Sequence, residues 1–302
     1  MKIILTGGLG FIGTALIEKK SKHQFIVCTK NVKKNTEKFK NVIFEIVKIE
    51  SEKFADMIKK HKPDLVIHLA SYTGLQNCEE NPSKAFTTNV YGTYNVINSC
   101  LVNKIRLMFL SSKEVYGMTT NDVEENHLLK PTNVYGITKK LAEEMIVFEN
   151  KKSNLVFTIL RVTNVYGPGS TKGVNKMIQS AIKDKKLFLN GGDQLVNLIF
   201  IDKLVDIIFN IINDERTFNQ IFNVGSFENI SIKEFANIIS KIEENNIKII
   251  QRSPLKYENR NFKPNLNKLN KIIDLSTKMD LYEGIIKTKK WFKELDENRN
   301  EI

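Results

Sequence analysis

The chain has 302 residues, with 46 Lys and Arg against 34 Asp and Glu and a formal net charge of +12. At 41% hydrophobic and 26% charged it falls in the globular class, and no apolar run approaches the roughly 18–20 residues of a membrane span. Only six of the basic residues are Arg, at 106, 161, 216, 252, 260 and 299; the charge is a lysine bias alongside abundant Asn, so nucleic acid is not an expected partner.

Met1-Lys2-Ile3-Ile4-Leu5-Thr6-Gly7 lacks the pattern of a secretion signal, and Cys28, Cys78 and Cys100 are too scattered for a disulfide framework or a metal site. A reduced, cytoplasmic setting is expected. Short apolar runs at 3–5, 25–28, 42–47, 65–69, 107–110 and 156–160 predict strands, and amphipathic stretches such as 11–20, 52–60 and 85–101 predict helices between them. Apolar runs without alternation, spaced by helices, predict a parallel sheet covered on both faces. The fold class is therefore α/β, a Rossmann doubly wound domain over 1–165.

After Gly167-Pro168-Gly169 the rhythm changes. A helix is expected at 173–186, a turn at Gly191-Gly192, a strand at 198–201, a helix at 203–213 and a strand at 220–224. Ser231 and Glu234 have capping-box spacing, 254–264 reads as loop, and a charged helix carrying Trp291 follows Leu281. Residues 166–302 are expected to form mainly a smaller C-terminal substrate-binding lobe, interleaved with the last Rossmann elements at about 196–224.

Gly7, Gly10 and Gly13 stand between the first strand and first helix. Glycines at this spacing allow a tight turn, close approach of backbone to a pyrophosphate, and close helix–strand contact. The N–H groups of the first helical turn, at Phe11 and Ile12, then offer an anion site. Tyr135 and Lys139 are four residues apart, one helical turn, on one face. A phenol with pKa about 10 serves as acid/base near neutrality when a neighbouring ammonium, and an oxidised nicotinamide, lower it. Ser111 and Ser112 close a strand upstream, where a hydroxyl can bond the reacting oxygen.

Together the glycine turn, His68-Leu69-Ala70-Ser71, Asn89-Val90-Tyr91-Gly92-Thr93, Ser111–Gly117, Tyr135–Lys139 and Leu160–Gly169 resemble the extended short-chain dehydrogenase/reductase family, in its nucleotide-sugar epimerase/dehydratase/reductase branch. The likeness runs from residue 1 to about 292. It implies that Gly7, Gly10, Phe11, Ile12 and Gly13 cradle the pyrophosphate and that Ala70 lines the nicotinamide side. It implies Tyr135 as acid/base and Ser112 as its hydroxyl partner. Lys139 would tune Tyr135 and bind the nicotinamide ribose. Asn164 and Arg260 would hold the phosphates of a nucleotide-sugar substrate, Asn89 would support the site, and a homodimer is implied.

Several positions depart from that pattern. Thr29, with Lys30 beside it, stands where NAD-using members carry an acidic residue on the ribose hydroxyls; NADP(H) is therefore preferred, with NAD(H) possible. Lys48 or Glu50 stands near the usual adenine-contacting Asp, and Val196 where relatives often carry Arg. Glu114 is a catalytic candidate for elimination of water, although Lys113 alters the acidic pair used by dehydratases. His68 reads as structural. The expected activity is hydride transfer at C4 of a nucleotide-activated sugar, as a 4-keto-sugar reductase. A 4-epimerase with tightly bound NAD, a 4,6-dehydratase and, more remotely, a non-catalytic dinucleotide-binding sensor are the alternatives.

Overall fold

A computed structural model of the chain describes residues 1–19, 22–31, 36–39, 41–119, 122–244, 246–253, 261–276 and 280–300, the side chains of 298–300 excepted. It begins with β1 (Lys2–Thr6), α1 (Phe11–Glu18), β2 (Gln24–Thr29), β3 (Val42–Ile46), α2 (Lys53–His61) and β4 (Leu65–His68). Where periodicity predicts one helix over 85–101, α3 (Leu75–Glu80) and α4 (Pro82–Phe86) lead through a π-helical turn at Thr87–Tyr91 into α5 (Gly92–Val102). Next come β5 (Arg106–Ser112), β6 (Asp122–Val123), α6 (Val134–Ser153) and β7 (Phe157–Val162). The remainder is β8 (Asn164–Tyr166), α7 (Asn175–Asp184), β9 (Lys186–Asn190), β10 (Leu195–Phe200), α8 (Ile201–Ile211), β11 (Gln220–Val224), β12 (Asn229–Ser231), α9 (Ile232–Ile242), β13 (Lys248–Arg252), β14 (Lys263–Pro264), α10 (Asn267–Asn270) and α11 (Leu281–Asn300).

The fold is a doubly wound α/β sheet of seven strands in the order β11-β7-β5-β4-β1-β2-β3. Neighbours from β3 across to β7 run parallel. Every residue of β4 and β7 is buried, as is all of β1 after Lys2, which is why these runs show no alternation. Ile4, Ile26, Val66, Leu107, Phe109 and Ile159 meet Val96, Ile97 and Cys100 of α5 and Ala142 and Ile146 of α6. Burying one such aliphatic side chain contributes about 1.5–3 kcal/mol. Thr6 at the end of β1 lies opposite Cys28 on one side and His68 on the other. The winding reverses between β1 and β4, which makes their carboxyl ends the switch point at which sheets of this kind take a ligand.

Contacts divide the chain into two units, one of 1–118, 125–162 and 211–222, the other of 119–124, 163–210 and 223–302. The segment that rejoins the first unit is thus shorter than the 196–224 expected from sequence. Leu195–Phe200 is held instead in a three-stranded sheet of the second unit, with Leu198 paired in parallel to Asn164 and Leu195 antiparallel to Ser231. The parallel pair of β9 and β13 has no sequence signature, because all but the central residue of β13 is exposed and no apolar pattern marks it. Ser231 and Glu234 do form the expected capping box, with reciprocal bonds of 3.0 and 2.9 Å at the start of α9.

Candidate active site

The floor of the switch point is the glycine turn. Gly7 sits at φ +68°, and its N–H donates to Cys28 O at 3.1 Å. A Cβ on Gly7 would lie 2.8 Å from Ala70 Cα, so only glycine brings the turn against the exit of β4. α1 starts on Gly10, which has no side chain to cap the N–H groups of Phe11 and Ile12. An open helix start beside a glycine-lined backbone at a topological switch point fits a dinucleotide pyrophosphate.

His68 braces this floor. Thr93 Oγ1 donates to Asn89 O at 2.6 Å, so it accepts from His68 Nε2 at 2.9 Å; Nδ1 then accepts from Thr6 Oγ1 at 2.6 Å. Thr6 Oγ1 also accepts from the N–H of Ala70 at 3.1 Å. Complete burial, with Lys139 nearby, pushes the imidazole down to about 3, and it stays neutral. The imidazole is structural, as its place at a strand end predicts.

At the ends of β2 and β3, Thr29 Oγ1 donates to Asn31 O at 2.9 Å, and Lys30 Nζ lies 3.0 Å from Glu50 Oε1. Thr88 Oγ1 donates to the same oxygen at 2.7 Å. Burial pushes the Glu50 carboxyl up, but the bonds from Thr88 and Lys30 outweigh it and hold the group below its ordinary value. Glu50 Oε2 is buried without a partner among the described residues.

α6 carries the acid/base candidates. Its N-cap Asn133 accepts from the N–H of Gly136 at 2.7 Å, and Glu79 accepts from the N–H of Val134 at 2.7 Å, placing a carboxylate at the positive helix end. A Cβ on Gly136 would come within 2.4 Å of Glu114 O. That close approach sets Tyr135 against the end of β5. The Tyr135 hydroxyl bonds Ser71 and Ser112, and both bonds favour the phenolate; burial and then the Glu114 charge push it the other way, above its ordinary value. A neighbouring lysine charge alone would lower the phenol, and burial and Glu114, neither visible in the order of residues, reverse the direction.

Lys139 Nζ donates to Leu110 O at 2.7 Å and lies 4.5 Å from the centre of the Phe109 ring. Burial pushes its ammonium down to about 7, against the opposing pull of Glu143. Glu143 is itself taken by Arg161, whose Nε and Nη2 donate to its Oε2 at 3.0 and 2.7 Å, and by Ser111. Asn89 links loop and helix: its Oδ1 accepts from Tyr72 N at 2.7 Å and Ser71 Oγ at 3.0 Å, and its Nδ2 donates to Thr138 Oγ1 at 3.0 Å. Glu114 pairs with Lys113 Nζ at 2.9 Å through Oε1 and accepts from Asn133 Nδ2 at 2.9 Å through Oε2.

The first unit therefore brings together Ser112, Glu114, Tyr135 and Lys139, and it also contains the glycine turn, Ala70, Thr29 and Lys30. Asn164 belongs to the second unit, where its Nδ2 donates to Asn197 O at 3.2 Å. Arg260 lies outside the described residues. Sequence reasoning missed Ser71 and the Glu143–Arg161 pair. An Arg inside the apolar run of β7, in a chain with few Arg, was the available signal for the latter.

Residues 3–225 match the family model described as the NAD dependent epimerase/dehydratase family. The chain belongs to this family. Relatives include dTDP-D-glucose 4,6-dehydratase of Dictyostelium discoideum, 31% identical over 270 residues covering 80% of this chain and 62% of that protein's length. UDP-glucose 4-epimerase of Mycoplasma genitalium is 30% identical over 279 residues, covering 80% of this chain and 81% of that protein. UDP-glucuronic acid 4-epimerase from Bacillus cereus, solved with UDP-glucuronic acid and NAD, shares the fold with a TM-score of 0.91 at 22% identity, over 98% of this chain and 100% of that one. Among the described residues no helix is long and apolar enough to cross a membrane, and no cluster of His, Cys, Asp and Glu could hold a metal ion.

Proposed function

We propose that this protein moves hydride at C4 of a nucleotide-activated sugar, with Tyr135 as acid/base. The observation that carries the reading is the Tyr135 hydroxyl bonded by Ser71 and Ser112, with Lys139 one helical turn away. Bound nicotinamide supplies the acceptor and donor of hydride. Tyr135 takes the proton from the sugar hydroxyl on oxidation and returns it on reduction. Ser112 bonds the same oxygen, and Lys139 in its ammonium form places positive charge where negative charge develops. Asn164 and Arg260 are assigned to the sugar-nucleotide phosphates.

Among net reactions, 4-epimerisation with tightly bound NAD is favoured over the 4-keto-sugar reduction suggested by Thr29 and Lys30. Lys30, the residue offered to an extra phosphate, is already paired with Glu50, and a relative named UDP-glucose 4-epimerase matches four-fifths of the chain. Reduction with NADP(H) is the second reading, supported by the missing carboxylate at Thr29. A 4,6-dehydratase ranks third, because Lys113 and Asn133 engage both oxygens of Glu114.

Purified protein incubated with UDP-glucose and NAD, or with a nucleotide-linked 4-keto sugar and NADPH, separates these readings. Isomer formation without net change in nicotinamide absorbance supports the epimerase, and stoichiometric loss of NADPH supports the reductase. Tyr135→Phe should abolish turnover while cofactor binding survives. Undiminished turnover in that variant would sink the mechanism.

A further inference from the structure

Among the described residues of the first unit, five charged side chains are buried on the turn after β5, α6 and β7: Lys113, Glu114, Lys139, Glu143 and Arg161. Arg161 and Glu143 satisfy each other, and Lys113 and Glu114 pair at 2.9 Å with both side chains less than one-tenth exposed. Among the described residues no carboxylate bonds Lys139, whose Nζ donates to a main-chain oxygen. Around it, α3 contributes Glu79 at the positive end of α6 and the buried Cys78, and β4 contributes the neutral His68. Of these groups, Glu114 is the carboxylate whose charge acts on Tyr135.

We propose that Lys113 is a positioning residue for the acid/base step: its buried ammonium offsets part of the Glu114 charge that faces Tyr135. The inference rests on Tyr135 as acid/base. It also gives a use to a lysine that is unexpected in a buried position. Burying a long cation beside the reacting groups costs free energy unless it is paired. Here the pairing does two things at once. It weakens a negative charge that opposes the phenolate, and it holds Glu114 Oε1 while Asn133, the N-cap of α6, holds Oε2. The carboxylate therefore links the turn after β5 to the helix that carries Tyr135.

The test reads the Tyr135 titration directly, without a substrate. Full-length protein is labelled with 3-fluorotyrosine, which brings the phenol transition to lower pH, and the Tyr135 fluorine resonance is assigned by its loss in Tyr135→Phe. Lys113→Met, which strands Glu114, should raise the Tyr135 midpoint by about one pH unit, the size expected from a nearby like charge. Lys113→Met/Glu114→Gln, which removes both charges, should return it towards the original value, and Lys113→Arg should leave it in place. Glu114→Gln alone should lower the midpoint, and this arm stands even where Lys113→Met does not fold. A midpoint that ignores Lys113→Met and Glu114→Gln, or a double variant displaced as far as Lys113→Met, overturns the proposal. A midpoint that responds while Tyr135→Phe keeps its turnover overturns the acid/base reading and leaves the charge coupling standing.

Discussion

Lys139 Nζ lies 5.9 Å from the centre of the Tyr135 ring, one turn along α6, and is buried with no carboxylate bonded to it among the described residues. Burial holds this ammonium at about 7 in the native chain, against 10.5 for an ordinary lysine. Between these values the unfolded chain binds more protons than the native one, so this group's contribution to stability rises with pH across that window. Lys139→Met removes the contribution. The buried thiols act in the opposite sense: Cys28 is pushed up to about 12 and Cys78 to about 11, mainly by burial, and both lower stability as the unfolded thiols ionise. The useful quantity is therefore the difference between the two proteins in urea unfolding from pH 7 to 10. It should shift towards the unsubstituted chain by roughly 3–5 kcal/mol. A difference independent of pH would contradict the buried, unpaired ammonium.

Glu143 and Arg161 form a buried ion pair with three Arg–carboxylate bonds, and Arg161 Nη1 also donates to Tyr116 Oη at 2.8 Å and Glu125 O at 2.7 Å. Arg161→Met leaves the carboxylate of Glu143 buried beside Ser111. That loss should cost about 3–5 kcal/mol in chemical denaturation. Arg161→Met/Glu143→Leu, which removes both charges, should recover much of it. A double variant no more stable than Arg161→Met would show that the cost is packing and not stranded charge.

Much of this arrangement is legible in the sequence wherever the chemistry is local. The Gly7–Gly13 spacing and the Tyr135–Lys139 spacing each lie within one turn or loop, and the unbroken apolar runs reveal a sheet buried on both faces. What the sequence hides is contact across elements. Glu143 meets Arg161 only because α6 packs beside β7, and Lys139 reaches Leu110 O across 29 positions. In sequence Lys113 is only a departure from a motif, since nothing in the order of residues shows that its ammonium is buried against Glu114. Lys30 is another such case: its availability to a phosphate depends on Glu50, 20 residues away on the neighbouring strand end.

That contact makes cofactor choice testable. Glu50 holds Lys30 and adds negative charge to the adenosine end of the proposed cofactor site. Glu50→Gln frees the ammonium, so affinity for NADPH relative to NADH should rise, by about tenfold for a change near 1.4 kcal/mol. Lys30→Met should move the ratio the other way. Fluorescence titration with each reduced cofactor measures it, and a ratio unchanged in both variants would remove Lys30 and Glu50 from cofactor selection.

The homodimer implied by family resemblance has a specific candidate surface in the first unit. Tyr94 and Val102 of α5 are exposed, as is Tyr91 in the turn before it, and the spacing 91, 94, 102 places all three on one helical face. Ile137 and Phe148 of α6 are exposed and eleven residues apart, three helical turns, which again is one face. Two adjacent helices each showing an apolar stripe to solvent are the pattern of a self-associating surface. Light scattering on a sizing column should give twice the 34.7 kDa chain mass. Tyr94→Glu and Phe148→Glu place charges in the stripes without touching the buried core, and should each shift the protein towards monomer with its secondary structure intact. A dimer unaffected by both substitutions would mean that a different surface holds the two copies together.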